Sequence, residues 1–462
     1  MVLGKYFGNK AFYKRVLAVS IPIMVQNSIT QFVNLLDNVM VGSLGTEQMS
    51  GVSIVNQFIF IFNLLIFGAV SAAGIFTAQF HGRGDVDGVR YTFRLKFLIN
   101  ITVSVLAVVL FIVAGDVMIN SFLHDGSAEG NLELTHAFGK EYLALMLFGM
   151  IPYAITQVYA STMKETEETF FPMIASVVAV ATNFVLNCIL IFGLLGCPAL
   201  GVKGAAIATV VSRFAELFIL VIRGHSGRAR STKYRFLIGA YRSLYVPYEL
   251  VKKITVKGLP LMMNEVLWAC AMTLRNQCYS TRGLDAVAAL NISTTVLNLF
   301  NVVYMSLSNC IAIMVGNQLG AGELEEAKDT DRKLIVFSVL TSAAVGLIII
   351  LASPLFPLMY NTTESVRSLA SYMITVAAAI VPFCAYAHAS YFTMRSGGKI
   401  FLTIVFDSIY MWAVVVPISC ICAYLTPMNI WILFLVAQSM EILKALLGWL
   451  LIRRGTWVRK LI

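Results

Sequence analysis

Uninterrupted apolar stretches, each long enough to cross a lipid bilayer, recur from one end of this 462-residue chain to the other. A helix needs about 20 apolar residues to span the hydrocarbon layer, where it must satisfy all of its own backbone groups. The stretches fall at 16–40, 51–80, 97–123, 138–163, 170–194, 199–222, 254–280, 286–316, 333–359, 368–394, 400–425 and 428–452. Two neighbouring pairs are parted only by the short turns Gly196-Cys197-Pro198 and Thr426-Pro427. Little chain is left over for a soluble domain, and charged residues make up only 13% of it. That is roughly half of what a soluble domain carries. The expected fold class is an all-α membrane protein with twelve transmembrane helices.

Lysine and arginine placement sets the expected orientation. With an even number of spans and the N-terminus inside, inner segments hold 27 of the 34 basic residues. They include Lys5, Lys10, Lys14, Arg15, Arg83, Arg90, Arg94, Lys96, Arg453, Arg454, Arg459 and Lys460. The outer loops hold Lys140, Lys203, Arg282 and Arg367, while Arg213, Arg275 and Lys444 lie within spans. The chain is therefore expected in the cell (inner) membrane, multi-pass, with both termini cytoplasmic. Its net charge of +10 is scattered over short loops, which argues against nucleic acid as a partner. The first apolar run is long and has no Ala-x-Ala-like cleavage site, so no removable leader is expected. Seven of the eight cysteines fall inside spans and show no metal spacing, and they read as small packing residues.

The two halves repeat. A shift of 238 residues lays Pro22 on Pro260, Gly45 on Gly283, Glu47 on Asp285 and Ile54 on Ile292. The same shift lays Gly82-Arg83-Gly84-Asp85 on Gly320-Ala321-Gly322-Glu323, and Arg94 on Arg332. With a small gap, Thr162-Met163-Lys164 meets Thr393-Met394-Arg395. Six spans per half bring both halves in from the same side, as parallel repeats about an axis along the membrane normal. The expected organisation is an N-lobe at 1–222, a basic cytoplasmic linker at 223–253 and a C-lobe at 254–462. The linker carries Arg228, Arg230, Lys233, Arg235 and Arg242, with a short surface helix expected at 236–250.

Ionisable groups inside the bilayer cost about 2.5–3.5 kcal/mol on insertion scales, so each one is a candidate for function. Asp37 ends a polar stripe with Gln31, Asn34 and Asn38 on one face of the first span. Such a stripe suits water, a proton or a cation; the alternative is that Asp37 marks the outer end of the helix. Glu265 stands eight residues past Lys257, about 12 Å into the membrane. His388 and Asp407 lie at a similar depth, so the three form an ion-binding cluster if their helices face one another. The alternative is that a neighbouring Ser, Tyr or carbonyl satisfies each. Arg213 and Glu216, like Glu441 and Lys444, have the i,i+3 spacing of a structural ion pair. Asn183 and Asn187 stand one turn apart on the fifth span and suit either a first-half site or helix–helix adhesion. Under the 238 shift, Arg275 falls on Asp37 and Glu265 on Asn27, so the halves share a frame but differ in charge.

No catalytic constellation is visible. There is no phosphate-binding loop for ATP, no Gly-x-Ser-x-Gly and no His-Glu-x-x-His. The chain reads as no enzyme and needs no cofactor. If it transports, an ion gradient supplies the energy.

The sequence resembles the multidrug and toxic compound extrusion (MATE) transporters. The resemblance rests on Val41-Gly42-x-Leu44-Gly45, Gln79 followed by Gly82-x-Gly84, and Leu259-Pro260 near Glu265. It also rests on Gly316-Asn317-Gln318-Leu319-Gly320-Ala321-Gly322, on Leu200-Gly201-Val202-x-Gly204-Ala205-Ala206-x-Ala208-Thr209, and on Arg395-Ser396-Gly397-Gly398. It implies two pseudo-symmetric six-helix lobes around a central cavity, and export of small organic, often cationic compounds against inflowing H⁺ or Na⁺. Asp37 then matches the acidic residue of the family's first helix, with Asn183 and Asn187 beside it. Glu265 resembles the seventh-helix glutamate of one branch, but it lies nearer its proline, and that branch's tenth-helix aspartate has no match.

Asp37, Glu265, Asn183 and Asn187 are thus the candidate proton- or cation-coupling residues, and Asp37 and Glu265 would bind Na⁺ if sodium is the coupling ion. Gln31, Asn34, Thr209, His388 and Asp407 are candidate cavity-lining residues. The rival readings are a flippase of lipid-linked saccharides on a similar frame, which wants a cationic cavity, and a non-transporting membrane scaffold, which wants a larger soluble region.

Overall fold

The computed structural model describes residues 6–121, 131–227, 234–360 and 362–462, with every side chain but those at 34, 35, 38, 39, 46 and 284. Lys5, Arg228, Arg230 and Lys233 fall outside the described residues, as do the side chains of Asn34 and Asn38. The described residues form helices and turns, with no strand among them.

Twelve long rods follow in order. They are α1 (Lys10–Gly42), α2 (Thr46–Gly82), α3 (Val86–Asn120), α4 (Leu132–Glu165), α5 (Phe170–Phe192) and α6 (Val202–His225). Then come α7 (Tyr248–Ser280), α8 (Leu284–Ala321), α9 (Leu324–Ala352), α10 (Glu364–Ser396), α11 (Ile400–Tyr424) and α12 (Ile430–Arg453). Each apolar stretch of the sequence lies within or over one rod. Among the described residues, eleven rods are long and apolar enough to cross a membrane. The remaining rod, α7, is as long as α1 but carries Lys257, Glu265 and Arg275 along its length.

Five rods contain an interior proline: Pro22 in α1, Pro152 in α4, Pro260 in α7, Pro382 in α10 and Pro417 in α11. Each removes one backbone donor, which neighbouring helices can make good inside a membrane. The rod α11 has two π-helical stretches, Val405–Ile409 and Met411–Val415, the first of which holds Asp407. Inserted turns of this kind often re-aim side chains at functional sites.

The chain divides into two compact units. An N-terminal unit gathers 25–77 and 86–258; a C-terminal unit gathers 1–24, 78–85 and 259–462. The division differs from the expected lobes in three ways. The start of α1 and the α2–α3 turn group with the second half, and the linker groups with the first. Two of the boundaries, after Met24 and after Gly258, fall beside Pro22 and Pro260, which the 238 shift superposes.

Between residues 236 and 247 the linker does not form the expected surface helix. After a single 3-10 turn at Arg235–Leu237 it runs without helix to Tyr248, where α7 begins. Tyr234, Phe236, Leu237 and Ala240 are buried. Arg94 of α3 holds the backbone, donating to the carbonyls of Ala240 (2.8 Å), Gly239 (2.9 Å) and Tyr245 (3.1 Å). A guanidinium fork can serve several carbonyls at once, so one arginine holds three carbonyls of a segment that runs without helix.

In the C-terminal unit, α2 and α8 touch through glycines. A Cβ at Gly82 would overlap the Asn317 carbonyl oxygen, and a Cβ at Gly320 would overlap that of Gln79. The chain's last turn closes over the same place. Trp457 is buried against Val16, Leu319 and Leu334, Gly397 leaves room for the Trp457 carbonyl, and Leu461 N donates to Gln79 Oε1 at 2.8 Å.

Candidate functional site

The intramembrane charges in the two units are treated differently. In the N-terminal unit, α1, α5 and α6 bring Asp37, Asn183, Asn187 and Thr209 together. Asn183 and Asn187 share one face of α5 because they are four residues apart, and they are 5% and 1% exposed. Asn187 Nδ2 donates to Asp37 Oδ1 at 2.5 Å. Turned with its nitrogen toward the carboxylate, the Asn183 amide donates to Asp37 Oδ1 at 3.0 Å and Oδ2 at 3.2 Å. Its oxygen then accepts from Thr209 Oγ1 at 3.3 Å. Among the described residues no lysine or arginine pairs with Asp37. Its carboxylate is solvated by neutral amides, which lower the cost of its charge without cancelling it. Of the other residues on the expected stripe, Gln31 is exposed, and the side chain of Asn34 lies outside the described residues.

The two candidate carboxylates of the C-terminal unit, Glu265 and Asp407, already have cations. Glu265 Oε1 accepts from Tyr391 Oη at 2.9 Å and lies 3.5 Å from Arg395 Nη1. Asp407 takes the ammonium of Lys444 at 2.7 Å and the Asn264 amide at 2.9 Å. His388 is occupied within its own helix, with Nδ1 3.0 Å from the Cys384 carbonyl and its ring 4.9 Å from that of Tyr304. Glu265, Asp407 and His388 share a unit, with Asp407 in electrostatic reach of both others, but their hydrogen bonds go to different groups. Each has its own partner.

Two expected ion pairs do not form among the described residues. Lys444 turns to Asp407 on another helix, leaving Glu441. Arg213 lies over the Tyr153 ring, 5.0 Å from its centroid, and makes no salt bridge with Glu216. The i,i+3 spacing permits a pair, but a group on another helix takes the cation: the Asp407 carboxylate for Lys444 and the Tyr153 ring for Arg213. Further pairs emerge that spacing along one helix could not show. Lys96, fully buried on α3, pairs with Glu165 at the end of α4 and is supported by Ser161 and Thr162. Asp331 on α9 accepts from Thr393 on α10 at 2.5 Å. The sequence signal for Arg395 is its place in Arg395-Ser396-Gly397-Gly398, and that for Asn264 is its place beside Glu265. Among the described residues no group of three His, Cys, Asp or Glu side chains could hold a metal ion. The groups facing the Asp37 carboxylate are amide N–H donors, and Asn187 Oδ1 beside them is buried without a hydrogen bond.

Known proteins resemble this chain both in sequence and in fold. The sequence model of the family described as MatE matches residues 22–189 and 260–421. A probable multidrug resistance protein NorM of Thermotoga maritima is 23% identical over 410 residues, covering 88% of this chain and 84% of its own. The multidrug resistance protein MdtK of Yersinia pseudotuberculosis is 26% identical over 376 residues, covering 79% and 78%. Among solved structures, one of a multidrug resistance MATE family transporter of the MOP superfamily in an outward-facing conformation superposes with a TM-score of 0.85. It is 19% identical and covers 98% of this chain and 97% of its own. A MOP superfamily transporter from Pyrococcus furiosus superposes with a TM-score of 0.82 at 19% identity, with the same coverage.

Proposed function

This chain belongs to the MATE family of membrane transporters, and we propose that it exports small organic, often cationic compounds from the cell against an inward flow of H⁺ or Na⁺. Both termini face the cytoplasm in this reading, as the basic loops suggest. Energy comes from the ion gradient, without ATP.

The observation that carries the reading is Asp37. Two neutral amides donate to this carboxylate and no lysine or arginine pairs with it among the described residues, whereas Glu265 and Asp407 are paired. A proton or Na⁺ arriving at Asp37 cancels the charge, removes the need for the amide hydrogen bonds and changes what the α1–α5–α6 contact is worth. An ion can shift a conformational equilibrium only by its difference in affinity for the two states. The Asp37 contacts supply such a difference, because Asn183 and Asn187 grip an ionised carboxylate more strongly than a neutral one. Glu265 and Asp407 have their charge balanced at every step and serve as fixed struts between helices.

The test is accumulation of ethidium in a bacterial host stripped of its own efflux pumps. Wild-type protein should lower dye accumulation, and Asp37→Asn should not. If Asp37→Asn extrudes ethidium as well as wild type does, with unchanged dependence on pH and sodium, the reading fails.

A further inference from the structure

Two cysteines far apart in the chain meet inside the C-terminal unit. Cys278 stands two residues before the end of α7, and Cys420 four residues before the end of α11. Their sulfurs are 3.6 Å apart, in van der Waals contact. Cys278 is 1% exposed, and Cys420 is half-buried. Small size accounts for each cysteine singly, as the sequence led us to expect. Contact between the two sulfurs adds chemistry that neither has alone.

The pair belongs to a seam between α7 and α11. Toward the start of both helices, Ser408 Oγ lies 2.7 Å from Asn264 Oδ1, and Trp412 Nε1 donates to the Leu267 carbonyl at 2.9 Å. Beyond the cysteines, Arg282 donates to the carbonyls of Cys422 (3.1 Å) and Thr426 (2.9 Å). Residue numbers rise together on the two sides, so the helices run parallel and the cysteines lie between two hydrogen-bonded stretches. Ser408 and Trp412 sit on the π-helical stretches of α11, and Cys420 on the regular helix that follows, Val416–Tyr424. The hydrogen bonds of this seam can break and re-form as helices shift. A covalent bond at Cys420 would instead fix the end against which the π-helical stretches turn.

From this contact we propose that Cys278 and Cys420 are a redox-modification site: they close to a disulfide that staples α7 to α11 and slows export, and they reopen on reduction. Closure takes the sulfurs from 3.6 Å to about 2.0 Å, which rotation of the two side chains can cover. The oxidant is a small disulfide. Half-buried Cys420 is the sulfur within its reach. As the thiolate, Cys420 attacks one sulfur of the small disulfide, breaks that S–S bond, forms a mixed disulfide and releases one thiol. Cys278, as the thiolate, then attacks Cys420 Sγ and releases the second thiol. The two protons given up by the cysteines go to the two released thiols, so two cysteines are oxidised as one small disulfide is reduced. In the orientation proposed above, this end of α7 and α11 faces away from the cytoplasm, the side on which disulfides persist. The slowing of export rests on the exporter reading; the bond itself does not.

Dithiodipyridine, a small apolar disulfide, tests the site on purified protein and in proteoliposomes. Mass spectrometry of proteolytic peptides should recover Cys278 joined to Cys420 after treatment, and the two apart after dithiothreitol. The bond closes a 142-residue loop of the unfolded chain, so it should raise the thermal midpoint. Helix movements set many turnover rates, so ethidium export should fall about five-fold or more on treatment and return with dithiothreitol. Cys420→Ser and Cys278→Ala should keep their export under the same treatment, and Cys422→Ser should respond as wild type does. Treated protein in which Cys278 and Cys420 are recovered apart overturns the site. So does slowing that persists in Cys420→Ser, or a joined peptide with export unchanged. Reduced protein that exports no ethidium overturns the exporter reading instead, and the joined peptide and the thermal midpoint then decide the bond.

Discussion

Gly82 and Gly320, 238 residues apart, are pressed into each other's helices in the same way. Gly82 of α2 meets the Asn317 carbonyl of α8, and Gly320 of α8 meets the Gln79 carbonyl of α2. Gln79 and Asn317 are themselves related by the 238 shift, so the contact is the same contact made twice across a local two-fold axis. Small residues let helix backbones approach this closely inside membranes, where packing rather than water drives association. The buried Gln79 locks the contact by donating to the Ser396 carbonyl at 3.1 Å and accepting from Leu461.

Symmetry of the contact predicts symmetry of its damage. A Cβ at either glycine has only backbone to push against, and overpacking of that kind costs on the order of 1–3 kcal/mol. Gly82→Ala and Gly320→Ala should lower the thermal midpoint by similar amounts and slow dye export. Unequal shifts, with one variant untouched, would show that the two approaches are not equivalent.

The twelve rods were legible in the apolar runs because backbone satisfaction in lipid leaves the helix as the one solution for such a chain. Even α7 could be read, despite Glu265 and Arg275, because its flanks are apolar. The pairing of Asn183 with Asn187 was legible from one-turn spacing, and their meeting with Asp37 followed from the family resemblance. Lys444 was misread. Its sequence neighbour Glu441 lies on the same helix, and nothing in the order of residues says that Asp407, 37 positions away, stands closer. The linker was misread for a related reason: its helix-forming pattern at 236–250 gives way to Arg94, a tertiary partner that binds its carbonyls in an open conformation.

That arginine yields the second prediction. With Arg94→Gln the segment around Gly239–Tyr245 loses three charge-assisted hydrogen bonds, and limited proteolysis with trypsin should cut at Arg242 faster than in the wild type, by about ten-fold. Unchanged cleavage would mean that the buried Phe236 and Leu237 hold the segment without help.

Lys96 and Glu165 form the third. Removing one member of a buried pair strands the other, at a cost of about 3–5 kcal/mol, whereas removing both is far less damaging. Lys96→Met should therefore destabilise the protein strongly, and adding Glu165→Gln should restore much of the loss. Simple additivity of the two effects in thermal unfolding would show that the pair is not coupled.

Asn187 sets the strength of the Asp37 grip. A hydrogen bond to a charged group is worth about 1.5–3 kcal/mol, so Asn187→Ala should change the concentration of coupling ion needed for half-maximal export by about ten-fold or more while leaving the protein folded. Export by Asn187→Ala with wild-type ion dependence would remove Asn187 from the coupling site.

Ion flux through Asp37 tests the account most directly. Proteoliposomes loaded with a pH-sensitive dye, or supplied with radioactive sodium, are given ethidium and followed for ion movement in the opposite direction. Wild type should show substrate-evoked flux of H⁺ or of Na⁺, and Asp37→Asn should show none with its fold and ethidium binding intact. Substrate-evoked flux of wild-type size through Asp37→Asn, with flux abolished instead by Glu265→Gln or Asp407→Asn, would contradict it and move the coupling site to the paired carboxylates.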